Sequence, residues 1–337
     1  MTVTTNTSRE TRILAFGEIL WDMLPTGRKL GGAPVNFLYH AHQLGASVQA
    51  LTKIGNDPLG REILDRLKSL SIPTDFLQIS PKAPTGTVQV ALDSSGSPSY
   101  EIIRDVAWDE IEIGDDALKS VRDFLTQQDA MSAFYFGSLA LRSKQNRSGI
   151  EKILALLPDD VVKVCDLNLR APFYTPEVIE FTLRSADVFK LNDAEALELE
   201  DLFEEKSSDR NALSEALNAI ESGAKLDSVA NALNAWASRW RKRFGLRSII
   251  LTCGGRGAYL FDDEGCSCAS SPRVDVMDTV GAGDSFAAVC VVGLLQGRSR
   301  EELVQAAVRR AAFVCSQEGG TPAIPSEESN PFKAQLE

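Results

Sequence analysis

The stretch Asp278–Phe286, DTVGAGDSF, decides the fold of this chain and leads directly into the apolar run AAVCVVGLL. Two glycines at the mouth of a buried helix cost conformational entropy, so their presence needs a reason. The first turn of a helix leaves backbone N–H groups unpaired and carries a partial positive charge. We therefore expect Gly281, Ala282 and Gly283 to cradle a phosphoryl oxygen. Asp284 would accept a proton from an attacking hydroxyl beside it, although it could also simply complement the helix dipole.

Composition excludes several classes of partner. The 337 residues carry 35 Lys and Arg against 47 Asp and Glu, a formal charge of −12, and 44% of them are hydrophobic. The sequence has no Lys/Arg-rich run of the kind that nucleic-acid binders use, so no nucleic-acid partner is expected. No apolar stretch is long enough to span a bilayer, and the polar start MTVTTNTSRE is unlike a signal peptide. We therefore expect a cytoplasmic protein without a membrane partner.

The six cysteines and two histidines limit which metal sites and catalytic groups the chain can form. Most of the cysteines sit inside apolar runs such as VVKVCDL, which predicts reduced core thiols. Cys266 and Cys268 form a close pair but lack the second pair that a zinc site needs. His40 and His42 are the only histidines, and their i, i+2 spacing points them in different directions on a helix. Catalysis by a His-based triad is not expected, except through these two.

Strand and helix patterns alternate along most of the chain. Short apolar strands such as RILAFGEIL, VQALTKIG and VVKVCDLN are separated by helical patterns. Repeated βα units predict an α/β fold with a mostly parallel central sheet and helices on both faces. The segments GTVQVALD and SYEII instead predict a β-hairpin around SSGSP. We assign this hairpin to a small β-lid built from residues 19–33 and 84–107.

Other regions stand outside the alternating pattern. Residues 203–243 are helical and charge-rich, which is typical of a solvated surface insertion. Residues 1–11 and 326–337 are expected to be flexible tails of a domain that spans 12–325.

A second glycine cluster, KLGGAPVNF, precedes a predicted helix that begins near Pro34. Gly31, Gly32 and Asn36 could line the pocket of a polar ligand, or could belong to an ordinary Gly-Gly turn. The chain lacks the GxxxxGKS/T motif of P-loop kinases and the GxGxxG motif of dinucleotide folds.

Together these motifs resemble the ribokinase/pfkB family of sugar kinases. GGAPVNFLYHAHQLGASVQALTKIGNDPLG and DTVGAGDSF are similar to the two family signatures in order and separation, and the similarity runs from about residue 12 to 325. FGEILWDMLP, VCDLNLRAPFY, LNDAEA and LTCGGRGAYL also match in place. Within the family, GEILWD, GGAPVNF, VAWDEI and DLNLRAPFY most resemble fructokinases. The resemblance implies a ribokinase-like three-layer α/β/α sandwich with a small β-lid.

The resemblance also assigns candidate residues to three groups. The implied sugar pocket comprises Asp22, Gly31, Gly32 and Asn36. The implied catalytic group comprises the base Asp284, the anion hole Gly281, Ala282 and Gly283, and Arg170 with a planar fork suited to phosphate. The implied nucleotide site comprises Asn168, Asn192, Glu195, Thr252, Gly254 and Gly257.

ATP and Mg²⁺ are the cofactors that the resemblance implies. Asn192 and Glu195 match the family's NxxE motif, which is tied to magnesium and phosphate, so Glu195 would act on Mg²⁺ indirectly. Asp278 lies where some members bind a monovalent cation, so K⁺ is a further expected cofactor. The alternatives are that Asn192 and Glu195 cap a helix, that Arg170 pairs with a surface acid, and that the Trp-Asp of VAWDEI only packs the lid.

The predicted function is ATP-dependent phosphorylation of a sugar hydroxyl, with D-fructose converted to fructose 6-phosphate. One alternative is a kinase of the same family that acts on 2-keto-3-deoxygluconate, ribose or a nucleoside. Another is a non-catalytic sugar-binding module, against which the intact GAGD argues. The expected partners are the sugar and ATP, with a homodimer through the β-lid, because family members often dimerise there and exposed sheet edges need cover.

Overall fold

A nine-stranded sheet lies at the centre of the computed structural model, which describes residues 9–24, 27–92, 98–203 and 208–333. In chain order the strands are β1 (Glu10–Phe16), β2 (Leu20–Leu24), β3 (Gly27–Gly31), β4 (Ser47–Gly55), β5 (Leu77–Ser80), β6 (Gly86–Leu92), β7 (Pro98–Ile102), β8 (Ala130–Gly137), β9 (Val162–Asp166), β10 (Val188–Asn192), β11 (Ser248–Thr252), β12 (Gly257–Asp262) and β13 (Gly265–Ser270). The central sheet has the order β13-β12-β11-β10-β9-β8-β1-β4-β5. Neighbouring strands pair in parallel except at one edge, where β12 is antiparallel to both β11 and β13.

Helices cover both faces of this sheet. They are α1 (Ala33–Gln43), α2 (Pro58–Ser69), α3 (Asp115–Leu125), α4 (Lys144–Leu156), α5 (Pro176–Ser185), α6 (Asp193–Phe203), α7 (Ser208–Glu221), α8 (Leu226–Phe244), α9 (Ala282–Leu295) and α10 (Arg300–Cys315). Along β1, Ile13 and Ala15 pack with α1, α9 and α10, whereas Leu14 and Phe16 pack in the cluster that contains α3 to α8. A strand buried on both faces is a continuous apolar run, as in RILAF. These layers confirm the predicted three-layer α/β/α architecture.

A second, four-stranded sheet has the order β3-β2-β6-β7. β6 and β7 are antiparallel, as the hairpin prediction requires, and residues 93–97, which include most of SSGSP, lie outside the described residues. Ile19, Trp21 and Leu30 pack with Ile63 of α2 in a separate apolar cluster. All four strands fall within the segments predicted as a β-lid, and the closing motion of such a lid stays a prediction.

The Trp-Asp pair of VAWDEI has a packing role. Trp108 is fully buried, and a Cβ on Gly86 would lie 2.2 Å from its Nε1 atom, so only glycine fits at the start of β6. The Arg142 guanidinium lies 4.0 Å from the Trp108 ring centroid and forms an ion pair with Asp109 at 2.8 Å. These contacts favour the packing alternative for both residues.

Within the predicted insertion at 203–243, the described residues 208–243 are more than a solvated segment. One side of α7 and α8 is buried in the same apolar cluster that covers the central sheet, through residues such as Leu213, Leu233 and Trp236. Exposed side chains such as Lys242 occupy the other side, which explains the charge-rich composition. The segment therefore belongs to one helical layer of the sandwich.

The described parts of the two predicted tails are packed against the fold, so the tail boundaries need correction. Glu10 pairs with Ala130 at the start of β1. The buried Arg310 guanidinium donates to the carbonyl oxygen of Glu328 at 2.7 Å. A Cβ on Gly293 would meet the Phe332 ring at 2.7 Å, so the segment at Phe332 lies closely on α9.

A buried carboxylate joins α6 to α8. Glu200 has no solvent exposure, and its Oε1 atom accepts hydrogen bonds from the indole N–H groups of Trp236 and Trp240. The Arg239 guanidinium donates to the same oxygen at 2.6 Å. Because an isolated buried carboxylate would be strongly destabilising, these donors make its burial tolerable.

We expect Glu200→Leu to lower the free energy of unfolding by roughly 2–5 kcal/mol, because two buried indole N–H groups lose their acceptor. Glu200→Gln is the matched control, since its amide oxygen can still accept, and it should lose less than half as much. Chemical denaturation followed by tryptophan fluorescence measures both variants. Equal stability of Glu200→Leu and the wild type would contradict this account.

Candidate active site

At the N-terminal end of α9, here called its mouth, two stretches of backbone touch with no side chain between them. Gly281 precedes the helix with φ 77°, in the left-handed region that favours glycine. A Cβ at Gly281 would lie 2.5 Å from the Cα of Gly320, in the segment that follows α10. The first-turn N–H groups of Gly283 and Asp284 have no carbonyl partner within the helix, and they carry its partial positive charge. The geometry is compatible with the predicted anion hole.

Asp284 lies in the first turn of α9, partly accessible but closely surrounded by protein. The side-chain amide of Asn36 donates to its Oδ2 atom at 2.9 Å, so the two glycine-rich motifs meet at this contact. Burial and the nearby Asp166 charge raise the pKa of Asp284 to about 6, against the lowering effect of Asn36. The net shift is upward even though the helix dipole favours the ionised form. Asp284 remains mostly ionised at neutral pH, with a pKa suited to a base.

The Gly-Gly pair lies directly against the Asp22 side chain and the Glu18 backbone. A Cβ on Gly31 would lie 2.5 Å from the Oδ2 atom of Asp22, on the neighbouring strand. Gly32 has φ 112°, and a Cβ there would lie 2.5 Å from the carbonyl oxygen of Glu18. Both glycines therefore permit a close approach, as expected for the walls of a small polar pocket. Burial raises the pKa of Asp22 to about 6, against the opposing effect of the Arg170 charge.

Glu18 is a buried acid that the sequence reasoning did not select. It lies between β1 and β2, and its Oε1 atom accepts a hydrogen bond from the Ala33 N–H at the start of α1. Burial raises its pKa to about 7, and the charge of Asp284 contributes in the same direction. An acid inside the apolar run FGEIL was the sequence signal that could have identified it.

A buried ion pair beneath the anion hole was also missed. Both carboxylate oxygens of Asp166, at the end of β9, lie 2.8 Å from the Nζ atom of Lys190 in β10. A Cβ on Gly283 would lie 3.4 Å from this Nζ atom, so the ammonium group lies next to the mouth of α9. The Tyr135 hydroxyl donates to Asp166 at 3.2 Å. Burial would lower the pKa of Lys190, but Asp166 outweighs it and the net shift is upward.

Asn168 and Arg170 lie in the loop that follows β9. Asn168 has a left-handed φ of 42°. Arg170 is exposed, and its charge lowers the pKa values of Glu18, Asp22 and Asp284 against the larger effect of burial. Arg170 thus faces the acidic groups of the site, where it can also meet an anionic ligand.

Asn192 and Glu195 form the reciprocal helix cap that was the alternative to a ligand role. The Asn192 Oδ1 atom accepts from the Glu195 N–H, and the Glu195 Oε2 atom accepts from the Asn192 N–H, both at 2.9 Å. The Oε1 atom of Glu195 accepts from the Leu169 N–H at 2.7 Å. With Asp166 held by Lys190, neither acid is placed for direct metal coordination. This arrangement fits a Mg²⁺ ion held mainly through phosphates and water.

A cavity of about 1230 Å³ opens on the other side of the α9 mouth. Among the predicted residues, its lining includes Asn192, Thr252, Gly254, Gly257, Ala282 and Gly283. Val274, Val276 and Met277 form an apolar part of the wall, and all three side chains are exposed. The cavity is large enough for a nucleotide.

Asp278 has a different neighbourhood from the one that the resemblance implies. Its Oδ2 atom accepts from the Gly319 N–H at 3.1 Å and lies 3.3 Å from the Lys29 ammonium. Its Oδ1 atom accepts from the Val280 N–H at 3.0 Å. The Lys29 ammonium thus already lies at the carboxylate where the resemblance implied a monovalent cation.

The described ranges lack two kinds of feature. No group of three or more His, Cys, Asp or Glu side chains there is arranged to hold a metal ion. No helix in the same ranges combines the length and apolar character needed to cross a membrane.

Comparisons with known proteins agree with the fold. A family model described as pfkB family carbohydrate kinase matches residues 11–327. Fructokinase-2 of Oryza sativa subsp. japonica is 24% identical over 343 residues, which cover 93% of this chain and 91% of that protein. A sugar kinase of Pyrococcus horikoshii, solved in complex with ATP, has a TM-score of 0.70 and 23% identity, and the match covers 92% of this chain and 94% of the other.

A second solved structure is a double mutant of fructokinase from Vibrio cholerae O395, with fructose, ADP and potassium ion bound. Its TM-score is 0.70 at 20% identity, and the match covers 95% of this chain and 96% of the other. The three-layer fold and the family match define a carbohydrate kinase. The chain belongs to the pfkB family of carbohydrate kinases.

Glu18 should make stability depend on pH. A carboxyl whose pKa is raised by folding binds protons more tightly in the native state, so the free energy of unfolding falls as pH rises from about 4.5 to 7. Glu18→Gln removes this loss and should stabilise the free protein by roughly 1–3 kcal/mol at pH 8. The gain should shrink towards pH 5. Denaturant unfolding of both proteins across this range measures the difference, and a constant difference would show that Glu18 does not titrate there.

Proposed function

We propose that the protein transfers the γ-phosphoryl group of ATP to a hydroxyl of D-fructose, which yields fructose 6-phosphate. The observation that carries the proposal is the position of Asp284. On one side it accepts a hydrogen bond from Asn36, beside the pocket of Gly31 and Gly32. On the other it adjoins Gly283, which lines the large cavity. A hydroxyl from the first site and a phosphoryl group from the second would meet at the mouth of α9.

The proposed reaction needs positioning and charge stabilisation more than covalent catalysis. The sugar oxygen attacks the γ-phosphorus, a new P–O bond forms, and the bond to the β-phosphate oxygen breaks, so ADP leaves. Asp284 takes the proton of the attacking hydroxyl. The N–H groups at the mouth of α9, with Arg170, stabilise the negative charge on the transferring group. The Lys190 ammonium beneath Gly283 adds positive potential at the same point.

Magnesium, when bound with the nucleotide, would supply neutralisation of the phosphate charge. Glu195 is the residue that would interact with it through water, since its carboxylate oxygens already accept N–H bonds from Asn192 and Leu169. Asn192 itself lines the cavity and would face the nucleotide.

The cavity supports ATP as the phosphoryl donor. Thr252, Gly254 and Gly257 give it a narrow polar edge, and the apolar wall at Val276 and Met277 suits the face of a planar base. The relative from Pyrococcus horikoshii was solved with ATP, and the one from Vibrio cholerae with ADP and fructose, which is consistent with this assignment.

Asp22 would select the sugar. Its carboxylate lies on Gly31 and can accept hydrogen bonds from hydroxyls. The second candidate is a kinase of the same family acting on 2-keto-3-deoxygluconate, ribose or a nucleoside. It shares the helix mouth and cavity, and differs only in what binds near Asp22. A non-catalytic sugar-binding module would have no use for a base at the helix mouth.

The sugar preference is tested by following ADP release with a panel of acceptors. D-Fructose should exceed ribose, nucleosides and 2-keto-3-deoxygluconate by at least about tenfold in kcat/KM, because buried polar groups left unpaired penalise the wrong acceptor. A tenfold preference for another acceptor would replace fructose but leave the kinase assignment intact. No ADP release with any acceptor would favour the binding module.

Asp284→Asn keeps the side-chain shape but removes the base, so kcat should fall by roughly 10²–10⁴-fold. Asp116→Asn is the matched control, because it also removes an acid from the first turn of a helix, α3, and should leave kcat unchanged. Nucleotide and sugar binding by calorimetry should persist in both variants. If Asp284→Asn keeps more than about a tenth of the wild-type kcat when chemistry is rate-limiting, Asp284 only complements the helix dipole.

A further inference from the structure

Lys29 is a charged residue of the second sheet that reaches the segments around the anion hole. It lies in β3 directly opposite Asp22 of β2. Its Nζ atom is 3.3 Å from the Oδ2 atom of Asp278 and 3.2 Å from the Oε1 atom of Glu318. Asp278 precedes the GAGD run and Glu318 follows α10. One ammonium group therefore joins three separate parts of the chain.

The two segments that Lys29 joins are those that touch at the helix mouth. Asp278 also accepts from the Gly319 N–H, and the Met277 N–H donates to the carbonyl oxygen of Cys315 at 2.8 Å. One residue beyond Gly319, the backbone of Gly320 lies against Gly281. The position of the anion hole thus depends on how closely these segments approach.

Two carboxylates lie at this junction, and like charges at short range repel. Asp278 is mostly shielded, with 20% of its side chain exposed, whereas Glu318 is 74% exposed. The shielded charge needs a counter-charge more than the exposed one does. Lys29, itself 31% exposed, provides it from within the chain.

We infer that Lys29 supplies the positive charge at Asp278, so that this protein needs no monovalent cation there. Lys29 is a positioning residue, which acts on the anion hole by holding Asp278 and the segment after α10. This separates the chain from the Vibrio cholerae fructokinase solved with potassium ion. The inference rests on the proposed function where it is tested by kcat. Where it is tested by the melting temperature with ADP, it requires only that the protein binds nucleotide.

The first measurement is activity with and without alkali-metal ions. Tetramethylammonium chloride replaces KCl at constant ionic strength, because it is too large to bind beside a carboxylate. The wild type should keep its kcat within about twofold in both salts. Lys29→Met should lose about tenfold or more in tetramethylammonium and recover most of this loss in KCl, because K⁺ then enters the freed position. Lys29→Arg keeps the charge and should stay independent of K⁺.

The second measurement is the melting temperature with ADP and Mg²⁺, which needs no knowledge of the sugar. Replacing tetramethylammonium by K⁺ should raise it in Lys29→Met and leave it unchanged in the wild type. Lys68→Met, on the surface of α2, is the control for loss of a lysine and should behave as the wild type.

Either of two results would overturn the inference. One is a wild type whose kcat or ADP-bound melting temperature rises strongly with K⁺, a result that needs no variant to fold. The other is a Lys29→Met variant that folds but whose kcat and melting temperature do not change when K⁺ replaces tetramethylammonium. A failure of the fructose assignment alone leaves the melting-temperature comparison valid, so the two failures are distinguishable.

Discussion

The ion pair between Asp166 and Lys190 is the interaction on which the site depends. Both residues come from the carboxyl ends of parallel strands, β9 and β10, and both are buried. Lys190 can stay charged there because Asp166 contacts it with both oxygens. Its ammonium group lies beneath Gly283, next to the partial positive charge at the start of α9, and Asp166 is its counter-charge.

The partial positive charge at the mouth of α9 matters because the chain as a whole is acidic. The chain has a formal charge of −12, and Glu18, Asp22 and Asp284 gather near the place where an anionic phosphoryl group would enter. Burial raises the pKa values of all three acids to about 6 or 7, which shows how little solvent screens them. An acidic protein can in this way accept an anion through local groups and without a broad basic surface.

The edge of the nucleotide cavity is held by a part of the chain that carries none of the motifs. The Tyr259 hydroxyl donates to the carbonyl oxygen of Leu226, and a Cβ on Gly257 would lie 2.9 Å from the Leu226 side chain. Arg256 donates to the carbonyl oxygen of Glu221. The corner between α7 and α8 thus packs on the loop of Gly254 to Gly257, and Glu200 in turn holds α8 to α6. Residues 203–243 therefore help to position the cavity wall.

The sequence by itself determined the layered fold, because βα alternation with apolar strands has few packing solutions, and it determined the helix mouth, because glycines and an acid at a helix start serve few other purposes. It also indicated the Gly31-Gly32 pocket. Only the tertiary structure decided that Glu18, Lys190 and Lys29 belong to the same site. Each is a single charge within a strand or turn, Lys190 is far from the other two in sequence, and strand ends meet only after the sheet has formed.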